Sequence, residues 1–110
     1  IKVDFDHKNF TKNIESDIEI IIFRIINELF NNTLKHSNSE HIFISIENND
    51  EFVIVTYKDD GSGFDINKIL EGRKQGGLHN IISRINSISG KVNIQSDKNK
   101  GIDVRFEIPV

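Results

Sequence analysis

The hydrophobic positions along this chain change repeatedly between a two-residue period and a three-to-four-residue period, which predicts a mixture of strands and helices. Ile42, Ile44 and Ile46, for example, alternate with other residues and end at a turn signal at residues 48–50. The predicted strands comprise residues 1–5, 42–47, 52–58, 91–96 and 102–108, and the predicted helices comprise residues 16–37, 65–72 and 77–89.

The longest predicted helix, residues 16–37, carries apolar side chains around most of its circumference. Ser16 and Glu19 form a capping box at its start, in which each side chain satisfies the other residue's free backbone N–H. The stripe that should face the core comprises Ile18, Ile22, Ile25 and Leu29. Other apolar residues spread beyond this stripe, so we expect a sheet and a second helix to cover this helix on most sides.

These elements predict an α+β fold, a two-layer sandwich in which a mixed, mostly antiparallel sheet carries helices on one face. The 110 residues suffice for one domain, residues 1–110, with a modest core. A net charge of -3 gives no basic surface for nucleic acid, and the lack of cysteine excludes disulfides. No apolar run is long enough to cross a bilayer. The lack of cysteine suits a reducing compartment, and we expect a cytoplasmic location, either of a whole protein or of the cytoplasmic part of a membrane-bound one. Without methionine, we expect the sequence to be part of a longer protein.

Polar side chains gather on one sector of the long predicted helix, beside its core stripe. At roughly 100° per residue, Glu28, Asn32 and Lys35 share this sector. An amide oxygen suits Mg²⁺, and an ammonium group offsets phosphate charge, so this combination can bind a hydrated cation together with a polyphosphate. A solvated helix face is the alternative interpretation of the same spacing.

A glycine-rich segment follows the predicted strand that ends at residue 58. Asp59 begins it and can accept a hydrogen bond from the exocyclic amine of a base, while Gly61 and Gly63 let the backbone approach a flat ring. An ordinary turn is the alternative interpretation, and Asp60 is best explained as a solvated turn residue.

Two further glycines precede the helix predicted at residues 77–89. Gly76 and Gly77 lead into its unpaired N–H groups, which attract phosphate, although a flexible loop before a helix explains them equally well. The chain has neither a P-loop nor a Rossmann phosphate loop, and its four histidines lack a metal-binding spacing. The three polar segments together therefore indicate a site for Mg-ATP without a P-loop.

In these segments the chain resembles the catalytic and ATP-binding domain of bacterial sensor histidine kinases, within the GHKL superfamily of Bergerat-fold ATPases. The resemblance covers about Ser16 to Pro109, nearly the whole chain. Residues 24–36 resemble the N-box, residues 59–64 the G1 box, residues 77–84 the G2 box and its helix, and residues 90–96 and 106–109 the closing strands.

The resemblance implies ATP and Mg²⁺ as cofactors and assigns roles within the site. It implies that Asn32 ligates Mg²⁺, that Lys35 and His36 face the phosphates, and that Asp59 binds the adenine amino group. Glu28 would order metal and water, and Lys35 would neutralise charge during phosphoryl transfer. The other nucleotide-binding positions implied are Gly61, Gly63, Phe64, Gly76, Gly77 and Leu78; residues 65–75 would form a lid, and Arg84 would be structural.

The chain departs from the family pattern at two positions. Gln75 stands where the second glycine motif usually has its first glycine, and Ile102 replaces a threonine near the adenine. These two departures permit a non-catalytic interaction module as an alternative to a histidine kinase domain. A serine kinase of anti-sigma-factor type, which shares the N-box and G1 features, is a second alternative.

The resemblance also implies partners. We expect the γ-phosphate to be presented to a histidine on a separate dimerisation domain, with a response regulator acting downstream. This segment should be a monomer and its parent protein a homodimer.

Overall fold

A computed structural model describes residues 2–7, 10, 14–36, 39–61, 76–97 and 101–109, with the backbone alone at residues 35–36, 76–79 and 97. It contains five strands and two helices within these ranges. The elements are β1 (Lys2–Asp6), α1 (Ser16–His36), β2 (His41–Asn48), β3 (Phe52–Asp59), α2 (Gly76–Ser87), β4 (Lys91–Asp97) and β5 (Gly101–Pro109). Neither described helix is long and apolar enough to span a membrane.

The strands form one sheet in the order β1-β2-β3-β5-β4. β1 runs parallel to β2, whereas the β2–β3, β3–β5 and β4–β5 pairs are antiparallel. The chain crosses from β1 to its parallel neighbour through α1, as parallel pairing requires a long connection. The prediction of an α+β fold with a mixed, mostly antiparallel sheet is confirmed.

One face of the sheet carries the core. Ile44 pairs with Tyr57, and Tyr57 pairs with Val104, so the inward side chains of three adjacent strands stand side by side. Both helices pack on this face, as predicted. The buried hydrophobic cluster contains Ile22, Ile25 and Leu29 from α1, Ile81 and Ile85 from α2, and Ile42, Ile44, Val53, Val55, Tyr57, Ile102, Val104, Phe106 and Ile108 from the sheet.

The face of α1 that points away from the sheet is more exposed than the sequence suggests. Phe23 is 68% exposed, Leu34 53% and Ile20 51%. The expectation that α1 is covered on most sides is therefore wrong for this face. In the inward stripe, Ile22, Ile25 and Leu29 are buried as predicted, and Ile18 is partly buried. The outer face stays exposed because the sheet meets only one side of the helix, and α2 lies beside Glu28 rather than over Phe23.

Several element ends differ by one or two residues from the prediction. α2 begins at Gly76 and ends at Ser87, where Gly90 donates its backbone N–H to the Ile85 carbonyl and Ser89 adopts a positive φ of 62°. The β4–β5 hairpin is longer than predicted, since Asp97 pairs with Gly101. The short helix predicted at residues 65–72 lies outside the described residues.

Candidate functional site

Asp59 occupies the last position of β3 on the face of the sheet that the helices cover. The residue is 7% exposed. One carboxylate oxygen, Oδ1, accepts the backbone N–H groups of Gly61 at 3.1 Å and Ile102 at 3.2 Å, and the other, Oδ2, accepts the Thr33 hydroxyl at 2.9 Å. Hydrogen bonds from three different elements of the chain thus fix the orientation of this carboxylate.

Two residues that the sequence analysis did not assign complete this network. Thr33 is 1% exposed on α1, and its hydroxyl bonds to the Tyr57 hydroxyl as well as to Asp59. The Thr33 and Tyr57 hydroxyls also lie 3.1 and 3.2 Å from the Leu29 carbonyl. A signal existed in the sequence: Thr33 lies one turn after Leu29 on the core stripe, and Tyr57 shares the parity of Asp59 in β3.

The Tyr57 phenol keeps its proton over the whole physiological range. Burial, with a further contribution from the Asp59 carboxylate, raises the pKa of Tyr57 to about 12 from its ordinary value of 10.0. The native state therefore prefers the neutral phenol, and the stability it contributes is complete below about pH 10 and lost as the pH rises towards 12.

This shift can be measured directly, because the chain has one tyrosine and no tryptophan. We expect the tyrosinate absorbance to titrate with a midpoint of about 12 in the folded protein and about 10 in urea. The free energy of unfolding should fall by about 2 kcal/mol between these pH values. Tyr57→Phe is the control and should remove both effects. A midpoint near 10 in protein that circular dichroism shows to be folded would contradict the buried phenol.

Glu28 and Asn32 lie one turn apart on α1, and each has a buried polar atom without a hydrogen-bond partner among the described residues. Arg84 of α2 donates to Glu28 Oε1 at 2.6 Å, whereas Glu28 Oε2 and Asn32 Nδ2 are the unpaired atoms. Leaving a buried polar atom unpaired costs about 1–3 kcal/mol. These two atoms therefore mark a place where a polar ligand or ordered water fits.

A magnesium ion fits this place when it arrives with phosphate. No three His, Cys, Asp or Glu side chains within the described residues could hold a metal ion. Mg²⁺ usually takes one or two protein ligands, with phosphate and water oxygens completing its shell. Rotation of the Asn32 amide by about 180° would turn its oxygen towards the position of the unpaired nitrogen, so Asn32 suits such a shell.

Asp60 is not the merely solvated turn residue that the sequence suggested. Its Oδ1 accepts the backbone N–H groups of Glu40 and His41, each at 2.9 Å, and the Ser39 hydroxyl at 2.8 Å. The hydrogen bonds from the His41 backbone and Ser39 lower the pKa of Asp60 well below its usual range. Asp60 thus ties the end of β3 to the segment that enters β2, beside Asp59.

A cavity of about 230 Å³ opens at the Asp59 end of the sheet. It lies where β3 ends and β5 begins, and its lining residues are Lys58, Asp59, Gln95, Ser96, Gly101, Ile102 and Asp103. Gly101 has a φ of +80°, and a Cβ built on it would lie 2.0 Å from the Asp59 carbonyl oxygen. Only glycine allows this close approach of the two strands.

The remaining predicted site residues are described in part. Gly61 is buried and contacts Asp59, as given above. Gly76, Gly77 and Leu78 form the first residues of α2, and Lys35 and His36 form the last residues of α1, in each case as backbone. The other positions, Gly63, Phe64, Gln75 and the predicted lid at 65–75, lie outside the described residues.

Comparison with known proteins places this geometry in a family context. Residues 17–110 match the family model of histidine kinase-, DNA gyrase B- and HSP90-like ATPases. The histidine-protein kinase/phosphatase DegS of Brevibacillus brevis is 33% identical over 110 residues, which are 100% of this chain and 28% of DegS. The sensor histidine kinase ComP of Bacillus subtilis is 31% identical over 99 residues, 90% of this chain and 13% of ComP. The chain therefore spans less than a third of either relative.

Solved structures share the fold. The blue-light activated histidine kinase of Erythrobacter litoralis superposes with a TM-score of 0.80 at 21% identity, over 98% of this chain and 35% of that protein. The histidine kinase AdeS of Acinetobacter baumannii gives a TM-score of 0.77 at 19% identity, over 98% of this chain and 53% of that chain. At such identities the likeness is one of fold.

Proposed function

Since this chain belongs to the family of histidine kinase-, DNA gyrase B- and HSP90-like ATPases, we propose that it binds Mg-ATP between α1 and the Asp59 end of the sheet and presents the γ-phosphate to a histidine on a separate domain. It is a catalytic domain of the histidine kinase type, and the family implies ATP binding. The identity of the residues that bind the nucleotide and the metal, and the identity of the phosphoryl acceptor, are part of the proposal.

The observation that carries the proposal is the fixed, buried carboxylate of Asp59 at the end of β3, on the face of the sheet that the helices cover. The hydrogen bonds from Thr33, Gly61 and Ile102 fix its orientation, so a hydrogen bond that it accepts from a ligand has a defined direction. An ionised carboxylate accepts and never donates, which suits the 6-amino group of adenine and opposes the 6-oxo group of guanine or hypoxanthine. Asp59 is thus the base-recognition residue of the proposed site.

The phosphates are proposed to lie towards Glu28 and Asn32. Mg²⁺ would neutralise part of the phosphate charge when bound, with Asn32 as its protein ligand and Glu28 ordering a coordinated water. Lys35 and His36 follow on the same helix and would face the phosphates. The first N–H groups of α2, at Gly76 and Gly77, point out of a helix of 12 residues and favour a negatively charged group.

Phosphoryl transfer depends on placing the nucleotide and compensating its charge, so binding is the activity that this chain itself should display. Isothermal titration with Mg-ADP tests it: binding in the micromolar to submillimolar range supports the proposal. Absence of binding at millimolar nucleotide would overturn it in favour of a non-catalytic interaction module.

A second measurement addresses the acceptor in the full-length protein. Phosphohistidine is labile in acid whereas phosphoserine is stable, so acid treatment after labelling with ATP separates the two kinases. The relatives reported above are histidine kinases, which favours histidine. The proposed partners are a response regulator and the histidine-bearing dimerisation domain of a homodimeric parent protein. We propose that they act in the cytoplasm, and that this segment alone is monomeric.

The role of Asn32 can be tested through magnesium. We expect Asn32→Ala to reduce the gain in ATP affinity that added magnesium gives the parent, because the variant lacks the amide oxygen that would ligate the ion. Titrations with and without magnesium provide the measurement. Asn27→Ala is the matched control, since Asn27 lies exposed on the same helix, and it should behave as the parent. Identical magnesium dependence in Asn32→Ala and parent would remove Asn32 from the site.

A further inference from the structure

We propose that Thr33 is a positioning residue that sets the base preference of this domain by holding the Asp59 carboxylate in the orientation that accepts an amino group. The inference rests on the proposed function and deepens it. The sequence assigned no role to Thr33 or Tyr57. Both residues are buried: the Thr33 hydroxyl lies within hydrogen-bond distance of Asp59, and the Tyr57 hydroxyl lies within hydrogen-bond distance of Thr33.

The direction of these hydrogen bonds follows from a count of protons. The two hydroxyls carry one proton each, and an ionised Asp59 carboxylate can only accept. Thr33 lies 2.9 Å from Asp59 Oδ2, so the Thr33 proton is the one donated there. The Thr33 oxygen then accepts from Tyr57, whose phenol stays protonated because burial raises its pKa to about 12. The result is a relay of donors from Tyr57 through Thr33 to Asp59.

The Leu29 carbonyl is a second acceptor near both hydroxyls, 3.1 Å from Thr33 and 3.2 Å from Tyr57. The bond from Thr33 to the carboxylate is charge-assisted and therefore stronger than a bond to a neutral carbonyl, so the Thr33 proton goes to Asp59. Aligned hydrogen bonds in a buried network strengthen one another, and a satisfied network fixes one geometry. The relay therefore holds Asp59 Oδ2 from the helix side while Gly61 and Ile102 hold Oδ1 from the sheet side.

Ile102 takes part in this arrangement through its backbone alone. It donates its backbone N–H to Asp59, whereas its side chain is buried in the core and has no hydroxyl. Thr33 brings a hydroxyl to the same carboxylate from the opposite layer of the sandwich.

Base preference is the property that this geometry controls. ADP offers an amino group at the 6-position of its ring, and IDP offers an oxo group at the same place. A carboxylate that cannot turn away repels the oxo group, whereas a carboxylate released on one side can rotate and tolerate it. Loss of the Thr33 hydroxyl should therefore weaken ADP binding and spare IDP binding.

The experiment measures ADP and IDP dissociation constants by calorimetry for the parent, Thr33→Val, Thr33→Ser and Tyr57→Phe. Thr33→Val keeps the shape of the side chain and removes the hydroxyl. We expect its ADP:IDP affinity ratio to fall about three- to tenfold, the range for losing one net hydrogen bond. Thr33→Ser should restore the ratio, and Tyr57→Phe, which removes the donor behind Thr33, should lower it by a smaller factor.

The outcomes are separable. Equal weakening of ADP and IDP in Thr33→Val, with no recovery in Thr33→Ser, would reduce Thr33 to a structural role and overturn the inference. If Thr33→Val does not fold, an unchanged ratio in folded Tyr57→Phe would overturn it instead. Parent protein that binds neither nucleotide would overturn the proposed function and this inference together, whereas a parent that binds ADP with variants of unchanged ratio overturns this inference alone.

Discussion

Asp59→Asn is expected to weaken binding of Mg-ADP by about 1–3 kcal/mol, the cost of losing a charge-assisted hydrogen bond. That range corresponds to an increase of about 5- to 150-fold in the dissociation constant. The amide puts a donor where the carboxylate offered an acceptor, and its remaining oxygen stays with the N–H groups of Gly61 and Ile102. The donor end can meet the Thr33 oxygen, because a hydroxyl also accepts, so the variant should fold.

Calorimetry measures this change, and urea unfolding shows whether the variant is folded. Asp4→Asn makes the same chemical change at an exposed position of β1. Asp4 is on the opposite face of the sheet from Asp59, so this variant should bind Mg-ADP as the parent does. Unaltered affinity in folded Asp59→Asn would remove this carboxylate from the site.

Gly101→Ala is expected to have a large effect on stability. Alanine at a φ of +80° is strained, and its Cβ would lie 2.0 Å from the Asp59 carbonyl oxygen, so β3 and β5 must separate at the site. The strain contributes about 1–2 kcal/mol and the overlap about 1–3 kcal/mol, for a loss of about 2–5 kcal/mol in the free energy of unfolding. Nucleotide affinity should fall too, because Asp59 moves with the strand.

Urea unfolding measures the loss in stability. Asn93→Ala adds the same residue at an exposed position of the neighbouring strand β4 and should change the free energy of unfolding by less than about 0.5 kcal/mol. Gly101→Ala with parental stability and parental ADP affinity would contradict the close contact between the start of β5 and the end of β3.

The hydrophobic pattern was sufficient to locate the strands and the inward side of both described helices. β4 and β5 alternate between apolar and polar residues, and α1 repeats its stripe through Leu29. The position of Asp59 was also predictable, since it shares the parity of Val53, Val55 and Tyr57 in β3. Local periodicity determines which side chains point inward, so both results follow from neighbours in the sequence.

The contacts between distant residues were not predictable in this way. Arg84 meets Glu28 across 56 positions of sequence, and the encounter depends on how α2 lies against α1. The hydrogen bond between Thr33 and Asp59 forms only if the last turns of α1 pack against the end of β3. The sequence of neither element alone determines that placement. The exposed side of α1 was misjudged because apolar composition alone does not say how far a covering layer extends.

The ion pair between Arg84 and Glu28 bears on how a polyphosphate would be received. A lone carboxylate beside Asn32 would repel an anionic ligand, and attraction or repulsion between unit charges is strong where water is scarce. Here the Arg84 guanidinium compensates the charge of Glu28, so this carboxylate would repel the phosphates of the proposed nucleotide less than an unpaired one would.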